Sequence, residues 1–271
     1  MLDVINALTW RVTPMKIIQS LLLALCLALT LPAQAGGKIT LAAAADLKFA
    51  MDEIVAAYKK AHPGDEVETI YGSSGKFHTQ IQQGAPYDLY FSADIAYPRA
   101  LAAEGFAASV VRAYAIGRIV LWSPVMDAST MDLKSLLDPA IGKIAIANPK
   151  HAPYGKRAEE ALRAAGVWDK VESRLVYGEN IAQTAQYVQT GNARVGIIAL
   201  SLAMNPELAK QGGYALIPDA LHAPLEQGFI ITRRAANNSL ARDFANYQGS
   251  KEARAVMVRY GFVLPNEATG R

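Results

Sequence analysis

The sequence predicts an α/β protein in which mostly parallel sheets are flanked by helices. Short apolar segments of strand length alternate with longer segments whose apolar residues recur at helical spacing. No low-complexity linker and no internal repeat interrupts this alternation. Repeated β-α-β units place neighbouring strands parallel and cover both faces of a sheet with helices. With 52% hydrophobic and 19% charged residues, the chain can bury a core and falls outside the disordered class.

The first part of this alternation predicts three strands and two helices. The strands are short, largely apolar runs at residues 39–43, 67–71 and 89–91. The first helix, over residues 47–60, is indicated by apolar side chains at helical spacing: Leu47, Met51, Ile54, Val55 and Tyr58. A shorter helix over residues 76–83 is closed by Gly84, a residue type that commonly ends helices.

The second part repeats the pattern and ends in helices. The predicted strands are residues 119–122, 143–147, 175–177 and 195–198. The predicted helices are residues 157–165, 182–189, 240–247 and 251–260. Gly166 ends the first of these helices, while Ser239 and Ser250 are expected to cap the last two at their N-termini.

A secretory signal peptide is predicted for residues 1–35. Met15 and Lys16 provide a basic start, an apolar run covers residues 17–31, and a Pro-Ala-Gln-Ala segment ends at Ala35. The basic start also predicts Met15 as the true start of translation. We therefore expect an exported protein.

Two alternatives for this segment are a membrane-spanning helix and a lipidated cysteine. The apolar run is short for a bilayer, and Cys26 is flanked by leucines rather than by small residues. Cys26 is also the single cysteine of the chain. Removal of residues 1–35 would therefore leave no disulfide, thiolate metal site or cysteine nucleophile.

The charges and histidines argue against nucleic-acid binding and catalysis. The net charge of +3 comes from interspersed acids and bases, without a basic patch. The four histidines are not at metal-ligand spacing, so no resident metal and no cofactor is predicted. His78 follows Ser74 by four residues, but a Gly-x-Ser-x-Gly elbow and a third triad member are lacking. The chain is predicted not to be an enzyme, with a secreted hydrolase as the remote alternative.

Four predicted strand-to-helix junctions share a chemistry suited to anions. Ligands of parallel α/β sheets bind beyond the carboxyl ends of the strands, where helix N-termini present unpaired N–H groups. Several such ends together can hold an anion without a formal cation. The alternative is structural, since Ser-Ser-Gly is a common helix cap and an alanine run often serves tight packing. The junctions are residues 44–46, 72–75, 152–155 and 179–181.

These junctions also carry a resemblance to a known family. The sequence resembles the periplasmic molybdate-binding proteins of ABC transporters over essentially the whole chain after residue 35. The blocks at 84–94 and 259–262 are its most specific parts. The matching segments are residues 42–51, 72–75, 84–94, 148–155, 196–198 and 259–262.

The resemblance implies a type 2 periplasmic binding protein fold, with two α/β lobes and a ligand cleft between them. Residues 36–118 and 218–271 would form lobe I, and residues 119–217 would form lobe II. It also implies a monomeric periplasmic protein that captures molybdate or tungstate and delivers it to the membrane permease of an ABC transporter. Molybdenum would be bound only as its oxyanion.

The resemblance places family ligands at Ser74 in lobe I and, through backbone N–H groups, at Tyr154 and Ile181 in lobe II. The full set of predicted ligand-binding residues is Ala45, Asp46, Ser73, Ser74, Tyr154 and Ile181. At two positions this chain lacks donors that family members use. Ala45 stands where a serine is usual, and Ala199 stands where some members have a tyrosine. The Tyr154 hydroxyl could compensate for them.

Asp46 is the most unusual residue of the set. It either caps the helix that follows and points away from the cleft, or faces the ligand. A carboxylate facing the ligand would accept a proton from an ion such as hydrogen phosphate, or bind a metal centre directly. In that orientation Lys48 or Lys76 would have to offset its charge.

Two further alternatives remain open. The same fold could bind a different oxyanion or a small organic acid. The chain could also be the sensor domain of a transcription regulator, although the signal peptide and the lack of a helix-turn-helix segment argue against this.

Overall fold

The computed structural model describes residues 37–265 of the chain. The signal peptide predicted for residues 1–35, with Met15 and Cys26, therefore lies outside the described residues. No helix of residues 37–265 is long and apolar enough to cross a membrane.

Ten strands and ten α-helices alternate through this part of the chain. The strands are β1 Lys38–Ala44, β2 Glu66–Gly72, β3 Leu89–Ser92, β4 Arg112–Gly117, β5 Ile119–Trp122, β6 Ile144–Ala147, β7 Leu175–Gly178, β8 Val195–Ala199, β9 Tyr214–Leu216 and β10 Leu225–Ile231. The helices are α1 Lys48–Ala61, α2 Ser74–Gln82, α3 Ala96–Ala103, α4 Pro153–Ala164, α5 Trp168–Val171, α6 Ile181–Gln189, α7 Leu200–Ala203, α8 Pro206–Ala209, α9 Ser239–Tyr247 and α10 Lys251–Arg259. Short 3-10 turns lie at Ala45–Leu47, Ala128–Thr130, Leu133–Leu137, Pro139–Ile141, Glu172–Arg174, Asp219–Leu221 and Arg233–Ala235.

The strands form two five-stranded sheets of matching design. The first has the order β2-β1-β3-β10-β4 and the second the order β7-β6-β8-β5-β9. In each sheet the first three strands are parallel, and the fourth runs antiparallel to both of its neighbours. The predicted α/β class with mostly parallel sheets is confirmed, with one reversed strand in each sheet.

The chain passes between the sheets twice. It leaves the first sheet at Gly117 and enters the second at Ile119, so only Arg118 separates the two strands. It returns through the segment between Leu216 and Leu225. The first sheet is therefore built from residues 38–117 and 225–231, and the second from residues 119–216. Whether the two halves move as lobes with the predicted boundaries stays a prediction.

Most predicted elements are present, with shifted ends. The helix predicted from residue 157 begins at Pro153, because proline fits the first helical position, where no N–H is needed. Ser250 caps α10 as predicted, by accepting from the Ala253 N–H. Ser239 was expected to cap α9, but the cap is Asn238, whose side chain accepts from the Ala241 N–H. The elements missed by the periodicity are α3, α5, α7, α8, β4, β9 and β10.

The cores of the two sheets meet at small residues. Ala44, Ala45 and Ala93 come from the first sheet and its loops, yet they pack in the hydrophobic cluster of the second sheet. Each is nearly inaccessible to solvent. Without larger side chains, the loops that follow β1 and β3 can approach the second sheet closely. The alanine run thus serves close packing at the junction of the two sheets.

Candidate functional site

The four predicted junctions line one small cavity between the two sheets. The cavity has a volume of only about 10 Å³ and is lined by Ala44, Ala45, Asp46, Gly72, Ser73, Ser74, Ala93, Ala152, Pro153, Tyr154, Asn180 and Ile181. All six predicted ligand-binding residues are in this set. Pockets for drug-sized ligands enclose roughly 300–1,000 Å³. The cavity is therefore suited to a ligand of a few atoms.

Three helices begin at the cavity and leave N–H groups of their first turns unpaired. Ser74 and Ile181 are the first residues of α2 and α6, and Tyr154 is the second residue of α4. N–H groups at these positions have no acceptor within their own helix. Among residues 37–265, none of the three donates to another group. The helix dipoles add partial positive charge at the same place.

Ser74 offers a second donor through its side chain. The Ser74 Oγ accepts a hydrogen bond from the Ala93 N–H at 3.0 Å, and the Ser74 carbonyl accepts from the buried Tyr90 hydroxyl at 2.7 Å. These contacts fix the residue from two sides. The Ser74 hydroxyl proton has no acceptor in the described part of the chain, so it remains free for a ligand.

Ser73 also lines the cavity, but its hydroxyl is already engaged. It donates to the carbonyl oxygen of His151, and the Oγ lies 2.9 Å from Nδ1 of the same residue. The Gly75 N–H donates to the same carbonyl at 2.9 Å. Ser73 therefore ties the loop after β2 to the loop before α4. Its contact with the ligand stays a prediction.

Asp46 faces the cavity and does not cap the helix that follows. It lies in the Ala45–Leu47 turn, and neither this turn nor α1 has a side-chain cap. The carboxylate is 1% exposed. Its Oδ2 accepts from the Tyr154 hydroxyl at 2.9 Å and from Nε2 of Gln227 at 2.8 Å. The interpretation of Asp46 as an N-cap is therefore wrong.

The other carboxylate oxygen of Asp46 is unusual because it has no partner. Oδ1 is buried and accepts no hydrogen bond from residues 37–265. Burial raises the pKa of the carboxyl to about 6, against the lowering effect of Gln227, Tyr154 and the nearby backbone N–H groups of Asp46 and Leu47, which lie outside hydrogen-bond geometry to Oδ1. The carboxyl group is therefore easier to protonate than an ordinary aspartate.

The Tyr154 hydroxyl takes part in this cluster and so cannot compensate for the missing family donors. It donates to Asp46 and accepts from Gln227 Nε2 at 3.1 Å. Gln227 Oε1 in turn accepts from the Tyr114 hydroxyl at 2.7 Å. Burial, followed by the charge of Asp46, raises the pKa of Tyr154 and of Tyr114 well above the ordinary value. Both hydroxyls stay protonated at neutral pH.

The cavity lining offers no cation to balance Asp46, because none of its residues is a lysine or arginine. Lys48 is paired with Asp52 at 3.7 Å, and Lys76 with Glu179 at 2.9 Å, so neither offsets Asp46 as the sequence suggested. Within the described chain no group of three or more His, Cys, Asp or Glu side chains could hold a metal ion.

Gln227, Tyr114 and Ser201 are site residues that the sequence did not indicate. The first two hold the Asp46 cluster, and the Ser201 hydroxyl donates to the Asp46 carbonyl at 2.8 Å. Gln227 lies in β10 and Tyr114 in β4, two strands that the apolar pattern did not reveal. Because neither strand was predicted, the sequence carried no signal for these two residues.

The histidines do not form a catalytic site with Ser73. Burial, followed by the nearby charge of Lys76, lowers the pKa of His151, so its ring is neutral at neutral pH. The His151 ring Nδ1 lies 2.9 Å from Ser73 Oγ, but no carboxylate hydrogen-bonds to that ring among residues 37–265. His78 contacts Tyr97 instead of a serine.

Comparison with known proteins gives one consistent family. Residues 39–263 match the family described as bacterial extracellular solute-binding protein. The molybdate-binding protein ModA of Rhodobacter capsulatus is 36% identical over 89% of this chain and 94% of its own length. The molybdate-binding protein ModA of Azotobacter vinelandii is 34% identical over 84% of this chain and 90% of its own length.

The solved structures agree in fold. The Azotobacter vinelandii periplasmic molybdate-binding protein superposes with a TM-score of 0.78 at 30% identity, covering 84% of this chain and 99% of that one. The sulfate-binding protein SubI from Mycobacterium tuberculosis shares the fold, with a TM-score of 0.70 at 18% identity over 86% and 88% of the two chains. The predicted two-sheet architecture is thus that of known solute-binding proteins.

Proposed function

The chain belongs to the family of bacterial extracellular solute-binding proteins, and on this basis we propose that it captures molybdate, or tungstate, for an ABC transporter. Proteins of this family bind solutes for transport and are not enzymes. The observation that carries the choice of ligand class is the convergence of three free helix N-termini on one small cavity. The similarity to molybdate-binding relatives supports the specific ion.

The proposed capture uses neutral donors. The ion lies between the N–H groups of Ser74, Tyr154 and Ile181 and the Ser74 hydroxyl. These groups replace part of its water shell without forming a salt bridge. Neutral dipoles hold the charge but still permit release to a membrane permease. Ala45 contributes small size rather than a hydroxyl, so it lets the ion approach the loop.

Selection among tetrahedral dianions would rest on cavity size, since charge and shape are alike. Molybdate and tungstate are nearly equal in size, and sulfate is smaller. The alternative ligands are another oxyanion or a small organic acid. The small cavity favours the smaller of these classes.

The cellular setting is part of the same proposal. We propose export by the signal peptide of residues 1–35, residence in the periplasm as a monomer, and delivery to the membrane permease of an ABC transporter. We also propose that residues 36–118 with 218–271 move as one lobe and residues 119–217 as the other. The two crossings at Arg118 and between Leu216 and Leu225 support this division.

Titration calorimetry of the mature chain tests the ligand. Molybdate, tungstate, sulfate, phosphate and chromate are titrated separately at neutral pH. We expect sub-micromolar binding of molybdate and tungstate and much weaker binding of sulfate. Preference for phosphate or sulfate would assign the same site to another oxyanion, and failure to bind any of the five would contradict oxyanion capture.

The two adjacent serines provide a prediction that separates ligand contact from loop contact. Ser74→Ala removes a free donor to a charged ligand, which is worth about 1.5–3 kcal/mol, so we expect Kd to rise roughly 10- to 150-fold. Ser73→Ala removes a bond between loops worth about 1 kcal/mol, so a rise of only about fivefold is expected. Calorimetry on both variants measures the difference, and an equal or reversed order would contradict this assignment of roles.

A further inference from the structure

The Asp46 carboxylate places a negatively charged group at a site that is proposed to bind an anion. Asp46 lines the same cavity as the free N–H groups, is 1% exposed, and leaves Oδ1 without a partner. Oδ2 is already saturated by two donors. Oδ1 is therefore the carboxylate atom without a hydrogen-bond partner in this part of the chain. If the Asp46 carboxylate were ionised beside a dianion, two negatively charged groups would repel each other in a site from which water is excluded.

Among the described residues around Asp46, no charged side chain relieves this repulsion. The groups facing the carboxylate are the neutral hydroxyls of Tyr154 from α4 and Tyr114 from β4, the Gln227 amide from β10, and the backbone N–H groups of Asp46 and Leu47. The helices α6 and α7, which also pack on the Ala45–Leu47 turn, contain no acid, lysine, arginine or histidine.

The remaining ionisable groups near the turn are engaged elsewhere. On α1 Lys48 pairs with Asp52, and on β2 the Tyr71 hydroxyl donates to the same Asp52. On α4 the Arg157 guanidinium pairs with Glu160 and lies 3.7 Å from Asp94. A proton on the carboxyl group would remove the repulsion.

We propose that the bound oxyanion and Asp46 share one proton between an oxygen of the ion and Oδ1. This inference rests on the proposed capture of an oxyanion and specifies how the site accommodates its charge. The proton comes from the solvent, and no bond of the ion is broken. With the proton in place, the carboxyl group acts as a hydrogen-bond donor rather than a repelling charge. Capture of a dianion such as molybdate thus takes up one proton.

The burial of Asp46 supports the proposal, because the carboxyl is already poised to accept a proton. Its pKa of about 6 lies near the pH at which such a protein would work. A nearby dianion raises the pKa of this group further. At a pH above the pKa of Asp46 in the ligand-free protein, the binding of each oxyanion must therefore be accompanied by the uptake of one proton. The affinity then falls as the pH rises, by about tenfold per unit of pH for one proton.

The test is calorimetry of the mature protein with molybdate, in buffers such as Tris and HEPES that differ in ionisation enthalpy. For the unmodified chain we expect uptake of about one proton at about pH 7.5, and a Kd that rises about tenfold per pH unit between about pH 6.5 and pH 8.5. Asp46→Asn keeps the shape and an oxygen for Tyr154 and Gln227, and supplies an N–H in place of the shared proton. This variant should bind without proton uptake and with a nearly constant Kd.

His151 provides a matched control, because its titratable ring lies beside Ser73 in the cavity loops. His151→Gln keeps the backbone carbonyl that holds Ser73 and Gly75. Proton uptake should persist in this variant. If uptake is lost in His151→Gln or persists in Asp46→Asn, the proton does not belong to Asp46.

The outcomes separate this inference from the proposed function. Tight molybdate binding by the unmodified chain, with no proton uptake and the same Kd throughout the pH range, would overturn the shared proton and leave molybdate capture intact. Absence of molybdate binding at every pH, in both the unmodified chain and Asp46→Asn, would instead overturn the proposed function. The measurements on the unmodified chain decide the question even if a variant does not fold.

Discussion

Replacing Ile181 with proline is expected to weaken molybdate binding about 10- to 150-fold, because it removes one N–H donor to a charged ligand. Residue 181 is the first residue of α6, where proline is well tolerated. Asn180 before it has φ −143° and ψ 175°, the extended backbone that a residue before proline prefers. The substitution thus removes the donor while allowing the helix to form.

Two controls isolate the N–H group. Ile181→Ala keeps the N–H but trims the buried side chain, so the difference between the two variants measures the donor. Lys251→Pro places a proline at the first position of α10, an exposed site after the extended Ser250. We expect it to leave affinity unchanged. Equal affinities of Ile181→Pro and Ile181→Ala in calorimetry would mean that this N–H does not contact the ion.

The second large effect, a loss of both stability and molybdate affinity, is expected when Gly155 in the first turn of α4 is replaced with alanine. A Cβ at this position would lie 2.1 Å from the Ala147 carbonyl oxygen, a backbone atom at the end of β6. The helix start would have to move away from the strand and take the Tyr154 N–H and hydroxyl with it. For Gly155→Ala we expect a loss of about 3 kcal/mol in the free energy of unfolding. We also expect at least a tenfold rise in the molybdate Kd.

Gly213→Ala is the matched control for this variant. Its Cβ would meet no atom closer than 3.6 Å, so ordinary contact results. Urea denaturation should show a stability equal to or slightly above that of the unmodified chain, since alanine restricts the unfolded state more than glycine does. If Gly155→Ala denatured at the same urea concentration as Gly213→Ala and bound molybdate normally, the close approach of α4 to β6 would not position the site.

The loops that line the cavity could be predicted from the sequence, because the pattern that indicates them is formed by residues adjacent in the chain. A strand followed by small or polar residues and then a helix is visible in the order of residues. All six predicted ligand-binding residues do line one cavity. That each contacts an ion stays a prediction, and the Ser73 hydroxyl is turned to His151 instead.

The orientation of Asp46 could not be predicted from its neighbours in the sequence. A local rule favours an aspartate before a helix as a cap. Its actual partners, Tyr154 and Gln227, lie 108 and 181 residues further along the chain. Gln227 is in β10, which joins the first sheet only after the chain has built the second. Contacts of this separation depend on the tertiary fold, which overrides the capping preference.

The two crossings between the sheets determine how the site can open. Gly117 lies at the first crossing, and a Cβ there would be only 2.2 Å from the Tyr154 hydroxyl and 2.6 Å from Gln227 Nε2. A body attached at two points retains a single rotational degree of freedom about the line that joins them. We expect that rotation to have its axis beside the Tyr154–Asp46 contact. Because atoms beside an axis move least, this contact would persist while the parts of the cleft farther from the axis separate.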